Sequence, residues 1–224
     1  MRIAVLTSGG KDSILALHRV FKFGEVLLVS AIPKSVDSYM FHTPNLHMLD
    51  VIGDCLGLPL KKIEVSGEEE REVEEFMDGI SELEIDAICC GAISSNYQLK
   101  RIKKICNDLN LELLAPLWGE DQERILNEVS RKFEAIIVSV SAMGLDESFL
   151  GMRIDDRCIE KLKSIAKKTG INLAGEGGEY ETLVLDAPLY RKRIVIRKLD
   201  KIWNRVRGIA VVREFEKFEK FKKF

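Results

Sequence analysis

Two hydrophobic rhythms alternate along the first 117 residues. Short apolar runs at 3–7, 26–32 and 85–91, and the more mixed segments 60–65 and 111–115, read as strands. Between them the apolar residues return at helical spacing: Ile14, Leu17, His18 and Phe21; a segment over 46–55 stopped by Gly57-Leu58-Pro59; Val73, Phe76, Met77 and Ile80; then Ile102, Ile105, Cys106 and Leu109. Strands alternating with helices over this length predict an α/β fold, a Rossmann-like parallel sheet with helices on both faces. Ligands of such sheets sit at the carboxyl ends of the strands, near the switch in strand order.

Beyond Trp118 the rhythm changes. A helix over 120–133, a strand over 135–140, a helix over 155–169 stopped by Gly170, a run at 183–185 and two alternating runs near Ile194 and 206–212 predict a smaller C-terminal α+β region. The expected division is 1–117 and 118–224. Phe215, Phe218, Phe221 and Phe224 recur every three residues, a spacing that makes no clean helical stripe. That tail would suit docking on a partner or on a second copy in a homodimer, or a partly ordered terminus.

With 224 residues, 46% of them hydrophobic, the chain can bury a real core. A net charge of -2 speaks against a general polyanion binder, so nucleic acid is not the expected partner. Charge is nevertheless uneven. Residues 64–84 hold ten acidic side chains against one Arg, whereas 191–223 hold 13 Lys/Arg against four Asp/Glu. The acidic run reads first as a solvated helix face. No apolar run approaches a membrane span, so no membrane is expected. The odd cysteine count (55, 89, 90, 106, 158), with no C-x-x-C pair, points to a reduced cytoplasmic setting and to core packing. His42 and His47 read as hydrogen-bonded structural residues.

The chemistry begins at Ser8-Gly9-Gly10-Lys11-Asp12-Ser13, between the first strand and the first helix. A strand–glycine loop–helix turn aims backbone N–H groups and a helix dipole at one place, which suits an anion. Gly9 and Gly10 allow φ > 0 and close approach. Ser8 and Ser13 add hydroxyls, Lys11 adds a cation, and Asp12 can orient the loop or help hold Mg²⁺. The spacing is neither a Walker A loop nor a dinucleotide fingerprint. It resembles the pyrophosphate-binding SGGxDS loop of the ATP pyrophosphatases, whose superfamily cleaves ATP between the α and β phosphates. By that analogy adenine lies at the end of the second strand, at Ala31 and Ile32.

A second constellation is Gly175-Glu176-Gly177-Gly178-Glu179-Tyr180-Glu181-Thr182. Three carboxylates in one glycine-rich loop repel one another, so the cluster reads either as an exposed acidic turn or as a pocket for an ammonium-bearing substrate or a metal. A carboxylate there can also take a proton from ammonium. The stretch is similar to the signature of the diphthine–ammonia ligases. Residues 38–45 (Ser-Tyr-Met-Phe-His-Thr-Pro-Asn), Gly91-Ala92-Ile93 with Ser95, Tyr97, Gln98 and Arg101, and Pro116-Leu117-Trp118 also look like that family.

The resemblance implies amidation of diphthine on elongation factor 2 by ammonium, with ATP and Mg²⁺, through an acyl-adenylate that releases pyrophosphate and then AMP. It places a PP-loop ATP-binding domain in 1–117 and a substrate-binding region in 118–224. It assigns Ser8, Gly9, Gly10, Lys11, Asp12 and Ser13 to the triphosphate, with Asp12 toward the metal. Lys11, Asp12, Glu176, Glu179 and Glu181 become the catalytic candidates. Gly177, Gly178 and Tyr180, with Tyr97, Gln98 and Arg101 at the rim, face the substrate; Tyr180 or Tyr97 could meet its trimethylammonium group. Asn96 reads as the N-cap of the helix that follows. Two other readings stay open: a thiolation-type tRNA-modifying ATP pyrophosphatase, and an ATP-binding regulatory module without chemistry.

Overall fold

The computed structural model describes residues 1–34 and 44–220. His42 and most of the 38–45 stretch, like Phe221 and Phe224, lie outside the described residues. In chain order the first elements are β1 (Arg2–Leu6), α1 (Lys11–Val20), β2 (Glu25–Pro33), α2 (Leu49–Leu56), β3 (Leu60–Val65), α3 (Arg71–Ser81), β4 (Ala87–Cys89), α4 (Asn96–Asp108) and β5 (Glu112–Leu114). Then come α5 (Gln122–Lys132), β6 (Glu134–Val140), α6 (Asp156–Thr169), β7 (Tyr180–Asp186), β8 (Lys192–Trp203) and β9 (Gly208–Glu219). The chain divides into two compact units: Met1–Ser8, Asp12–Leu46 and Leu58–Trp118 form one, and Gly9–Lys11, His47–Gly57 and Gly119–Phe224 the other.

The first unit is built on a parallel sheet in the order β3-β2-β1-β4-β5. Strand order therefore reverses at β1, and right-handed crossovers then send helices to opposite faces. On one face Val73, Phe76 and Ile80 of α3 and Ile102, Ile105 and Cys106 of α4 close over Ala4, Leu27, Val29, Ala31, Ile63, Val65 and Ile88. Strand alternation turns Ile3, Val5, Val26 and Leu28 to the other face, where they are buried too, as are Ile14 and Leu17 of α1. Strands buried on both sides must be apolar throughout, which is why these segments read as unbroken aliphatic runs. Truncating a residue such as Phe76 to Ala in this core would cost about 3–5 kcal/mol.

One expected element comes out shorter. The strand expected over 85–91 forms ladder pairs only at Ala87–Cys89, flanked by single bonds from Asp86 N to Arg2 O (2.9 Å) and from Cys90 N to Leu114 O (3.0 Å). The acidic helix begins at Arg71, and Glu70 ahead of it takes φ 64, a positive value that breaks helical continuity there.

The second unit carries a four-stranded antiparallel sheet in the order β7-β6-β9-β8. Its two long helices are capped as helix ends require. Asp121 accepts from Arg124 N at 2.8 Å to start α5, Asp155 from Cys158 N at 2.8 Å to start α6, and Gly170 closes α6 in the left-handed region. Each such cap stabilises its helix by about 1 kcal/mol. Ile125, Leu126 and Val129 of α5 and Cys158, Ile159 and Leu162 of α6 are buried. The two alternating runs become a hairpin of two twelve-residue strands, β8 and β9. Phe215 and Phe218 lie in β9, so the period-three tail is strand up to Glu219 and puts these two rings on opposite faces.

Within this unit α2 is held to the hairpin. Arg191 N donates to Cys55 O at 2.6 Å, and His47 Nε2 lies 2.9 Å from Val212 O, a structural bond of the kind expected for that histidine. Asp54 accepts from Lys192 (3.0 Å) and Lys217 (2.5 Å), and those hydrogen bonds hold its carboxyl below the ordinary carboxylate range. No helix among the described residues is long and apolar enough to cross a membrane.

Candidate functional site

The stretch 8–13 leaves β1 at the sheet's switch point and enters α1. At its edges, within the first unit, Thr7 is buried; its N–H donates to Val29 O at 2.8 Å and its hydroxyl lies 3.3 Å from that of Ser13. Asp12 stands in the first turn of α1, beside the positive end of the helix dipole. Gly91, just past β4, touches this turn. A Cβ on it would lie 2.7 Å from Asp12 C and 2.8 Å from Ser13 N, distances no side chain tolerates. Of the two loop glycines, both free to take a positive φ, only Gly9 does so (78°), and one reversal suffices to turn the strand into the helix.

The middle of the stretch, Gly9–Lys11, belongs to the second unit, where it runs along the outer edge of β7. Val184 N donates to Gly9 O at 2.9 Å, and Lys11 N donates to the Thr182 hydroxyl at 3.0 Å. The Lys11 side chain is 2% exposed. Its ammonium donates to Ala174 O at 2.5 Å and stands 5.2 Å from the centre of the Tyr180 ring. The cation expected beside phosphate is thus anchored on the glutamate-bearing loop.

That loop is knit by one residue that sequence reasoning missed. Asn172 accepts at Oδ1 from Ala174 N (3.0 Å) and Glu176 N (3.3 Å), accepts at its carbonyl from Gly175 N (3.0 Å), and donates its own N–H to Glu179 Oε1 (2.8 Å). An Asn that bonds the backbone two and four residues on is an Asx-type turn, the only signal the sequence offered. Ser141 ties the far side, donating from Oγ to Gly178 O (2.5 Å) and from N to Glu179 O (2.9 Å).

Glu179 folds back under Gly177, where a Cβ would sit 2.9 Å from Oε1. Its other oxygen, Oε2, is shut off from solvent and has no hydrogen-bond partner among the described residues. A carboxylate oxygen so placed is costly unless a donor arrives to meet it. Glu181 lies in β7, so alternation turns it to the face opposite Tyr180 and Thr182. Tyr180 is 2% exposed and donates its hydroxyl to Leu173 O at 2.8 Å. With Lys11 against the ring, Tyr180 is placed to position its neighbours, not to receive a ligand's cation.

The remaining candidates belong to the first unit. Ala31 packs into the core beneath α3 and α4, and the next residue along the strand, Ile32, turns to the other face. The cap of α4 is Ser95, whose hydroxyl accepts from Gln98 N at 3.4 Å; this corrects Asn96, which is the first helical residue. The Arg101 guanidinium lies 3.4 Å from the centre of the Tyr97 ring and pairs with Glu70, while the Tyr97 hydroxyl donates to Glu69 at 3.3 Å. Burial pushes the Cys89 and Cys158 thiols up to about 12 and those of Cys55 and Cys106 to about 11, so none is a thiolate near neutrality. Among the described residues no group of three or more His, Cys, Asp or Glu could hold a metal by itself.

A parallel sheet whose switch-point strand opens through a glycine turn into a helix N-terminus defines an α/β protein of the kind that holds an anionic ligand there. This chain belongs to the diphthamide synthase family: the diphthamide synthase N-terminal domain matches residues 1–113 and the diphthamide synthase C-terminal domain residues 121–218. It is 34% identical to a diphthine–ammonia ligase of Bos taurus, 36% to one of Rattus norvegicus and 35% to one of Homo sapiens. Each alignment covers 95% of this chain and 89% of the relative.

Proposed function

We propose that this chain is an ATP-dependent ligase that converts diphthine on elongation factor 2 to diphthamide with free ammonium. The observation that carries the reading is the match over nearly the whole chain to relatives named diphthine–ammonia ligase. The turn at 8–13 fits ATP: its one left-handed glycine and the close approach of Gly91 leave main chain, not side chain, at the helix start.

Amide formation from a carboxylate fails without activation, because hydroxide is a poor leaving group. Attack of the substrate carboxylate on the α-phosphorus forms an acyl-adenylate and releases pyrophosphate; ammonia then displaces AMP. Main-chain N–H groups of Ser8, Gly9 and Gly10 and the hydroxyls of Ser8 and Ser13 receive the departing diphosphate charge. Asp12 would hold Mg²⁺ brought with the nucleotide, the ion supplying charge neutralisation at the phosphates. Adenine takes the end of β2, at Ala31 and Ile32.

Glu179 is the base that takes the ammonium proton, since its buried Oε2 is an acceptor waiting for a donor. Glu176 and Glu181, with Gly177 and Gly178, line the approach of the modified histidine. Tyr97, Gln98 and Arg101 face the substrate protein. Residues 118–224 form the substrate-binding region, and the enzyme works in the cytoplasm.

The test supplies ATP, Mg²⁺, ammonium and diphthine-bearing elongation factor 2. Replacing OH by NH₂ lowers the factor's mass by about one dalton, with one AMP and one pyrophosphate formed per amide. Release of ADP and phosphate, or a factor of unchanged mass, would refute the proposal.

A further inference from the structure

Thr182 has no role in the chemistry above, yet its buried hydroxyl accepts the Lys11 amide at 3.0 Å. Two residues along β7, Val184 N donates to Gly9 O at 2.9 Å, so the turn is fastened to one strand at two successive points. A third fastening runs from the Lys11 ammonium to Ala174 O, in the loop that Asn172 organises. Three bonds, one at Gly9 and two at Lys11, leave Gly9–Lys11 little freedom to rearrange. Preorganised donors are what a site for a departing diphosphate requires.

We infer that Thr182 and Asn172 are positioning residues for the nucleotide. Thr182 sets the backbone of the 8–13 turn at Lys11, and Asn172 sets the Ala174 carbonyl that fixes the Lys11 side chain. A consequence is that the glutamate-bearing loop and the nucleotide turn act as one hydrogen-bonded piece, so that disturbing the first degrades ATP use before it touches the amide-forming step. The inference rests on the proposal that residues 8–13 hold the ATP phosphates.

The experiment measures steady-state kinetics of the full chain with Mg-ATP, ammonium and diphthine-bearing elongation factor 2, for wild type, Thr182→Val, Thr182→Ser and Asn172→Ala. Thr182→Val keeps the shape but leaves the Lys11 N–H without its acceptor. KM for ATP should rise about tenfold, the equivalent of one lost hydrogen bond, while KM for ammonium stays within about twofold. Thr182→Ser, which restores the hydroxyl, should return KM for ATP to within about twofold of wild type. Asn172→Ala should raise KM for ATP in the same direction.

A valine variant that melts like wild type and shows an unchanged KM for ATP overturns the inference, and so does a serine variant as impaired as the valine one. Should the valine variant not fold, hydrogen exchange in wild type decides: the Lys11 amide must be protected with the amides of β7, and exchange as fast as at an exposed turn sinks the link. Wild type that forms no AMP refutes the phosphate assignment itself, and the inference with it. Active wild type beside an indifferent valine variant refutes the inference alone.

Discussion

The two glycine-rich stretches, 8–13 and 172–182, solve opposite problems with similar residues. In the first, one left-handed glycine and the close contact at Gly91 bring main chain to a helix start, and bonds to β7 fasten it from outside. In the second, shape comes largely from side chains: Asn172 bonds four positions of its own loop, and Ser141 pins it from β6's end. A turn made of backbone presents many weak donors to a diffuse charge. A loop made of side-chain bonds presents one acceptor, Glu179 Oε2, at one point. The contrast matches a division between gripping a polyphosphate and moving a single proton.

Substitutions can break that division. Asp12→Ala should lower both AMP release and amide formation by about 10³-fold, whereas Glu179→Gln should leave ATP affinity within about twofold and lower amide formation by about 10²-fold or more. Nucleotide titration beside quenched-flow analysis of both products separates the two. If the glutamate variant loses ATP binding as well, the division is wrong.

A smaller effect is expected at Gly9. Alanine there meets both the left-handed φ of 78° and Ile52 Cδ1 at 2.5 Å. Thermal or urea unfolding should show a loss of about 1–3 kcal/mol. Smaller still is Cys89→Ala, which removes a buried thiol that is not ionised near neutrality. It should cost about 1 kcal/mol of stability and leave amidation within about twofold. A complete loss of activity in a folded Cys89 variant would instead favour thiolation chemistry.

The slightest effect concerns Asp54, whose carboxyl is held low by Lys217 and Lys192. A lowered folded value means its contribution is present above the ordinary aspartate range and fades as pH falls through the folded value. An NMR titration of Asp54 should move back toward the ordinary value in Lys217→Ala.

Legibility followed how local the cause was. The run 26–32 is observed inside β2 because a strand buried on both faces writes itself as nearly consecutive aliphatic residues. The 8–13 turn and the stop at Gly57 were equally plain, since glycine chemistry at a helix end depends on a few neighbours. The strand at 85–91 was overread. Its apolar composition continues past Cys89, but Gly91 is drawn away to lie against α1, a contact across more than seventy residues.

The candidate site shows the same rule. Gly9, Lys11, Asp12 and Glu179 could be named from their motifs. The partners that decide their geometry (Thr182 for the Lys11 amide, Ala174 for its ammonium, Asn172 for Glu179) lie 171, 163 and 7 positions away. Nothing in the composition of a motif encodes where its hydrogen bonds end. The fold class and the family signature were therefore legible; the turning of Glu181 away from Tyr180 was not, because it depends on β7 starting at Tyr180, ahead of the run expected at 183–185.

The bond from Val184 to Gly9 has one more consequence. In the order β7-β6-β9-β8, β7 ends the sheet on one side and β8 on the other. β8 is studded with Lys192, Arg193, Arg197, Lys198 and Lys201, charges that discourage a foreign strand from adding on. β7 has no such fringe, and the turn at Gly9–Lys11 lies where an invading chain would dock. Variants that loosen this turn should clump at concentrations the parent tolerates, so poor solubility would be an early sign that the turn has come away.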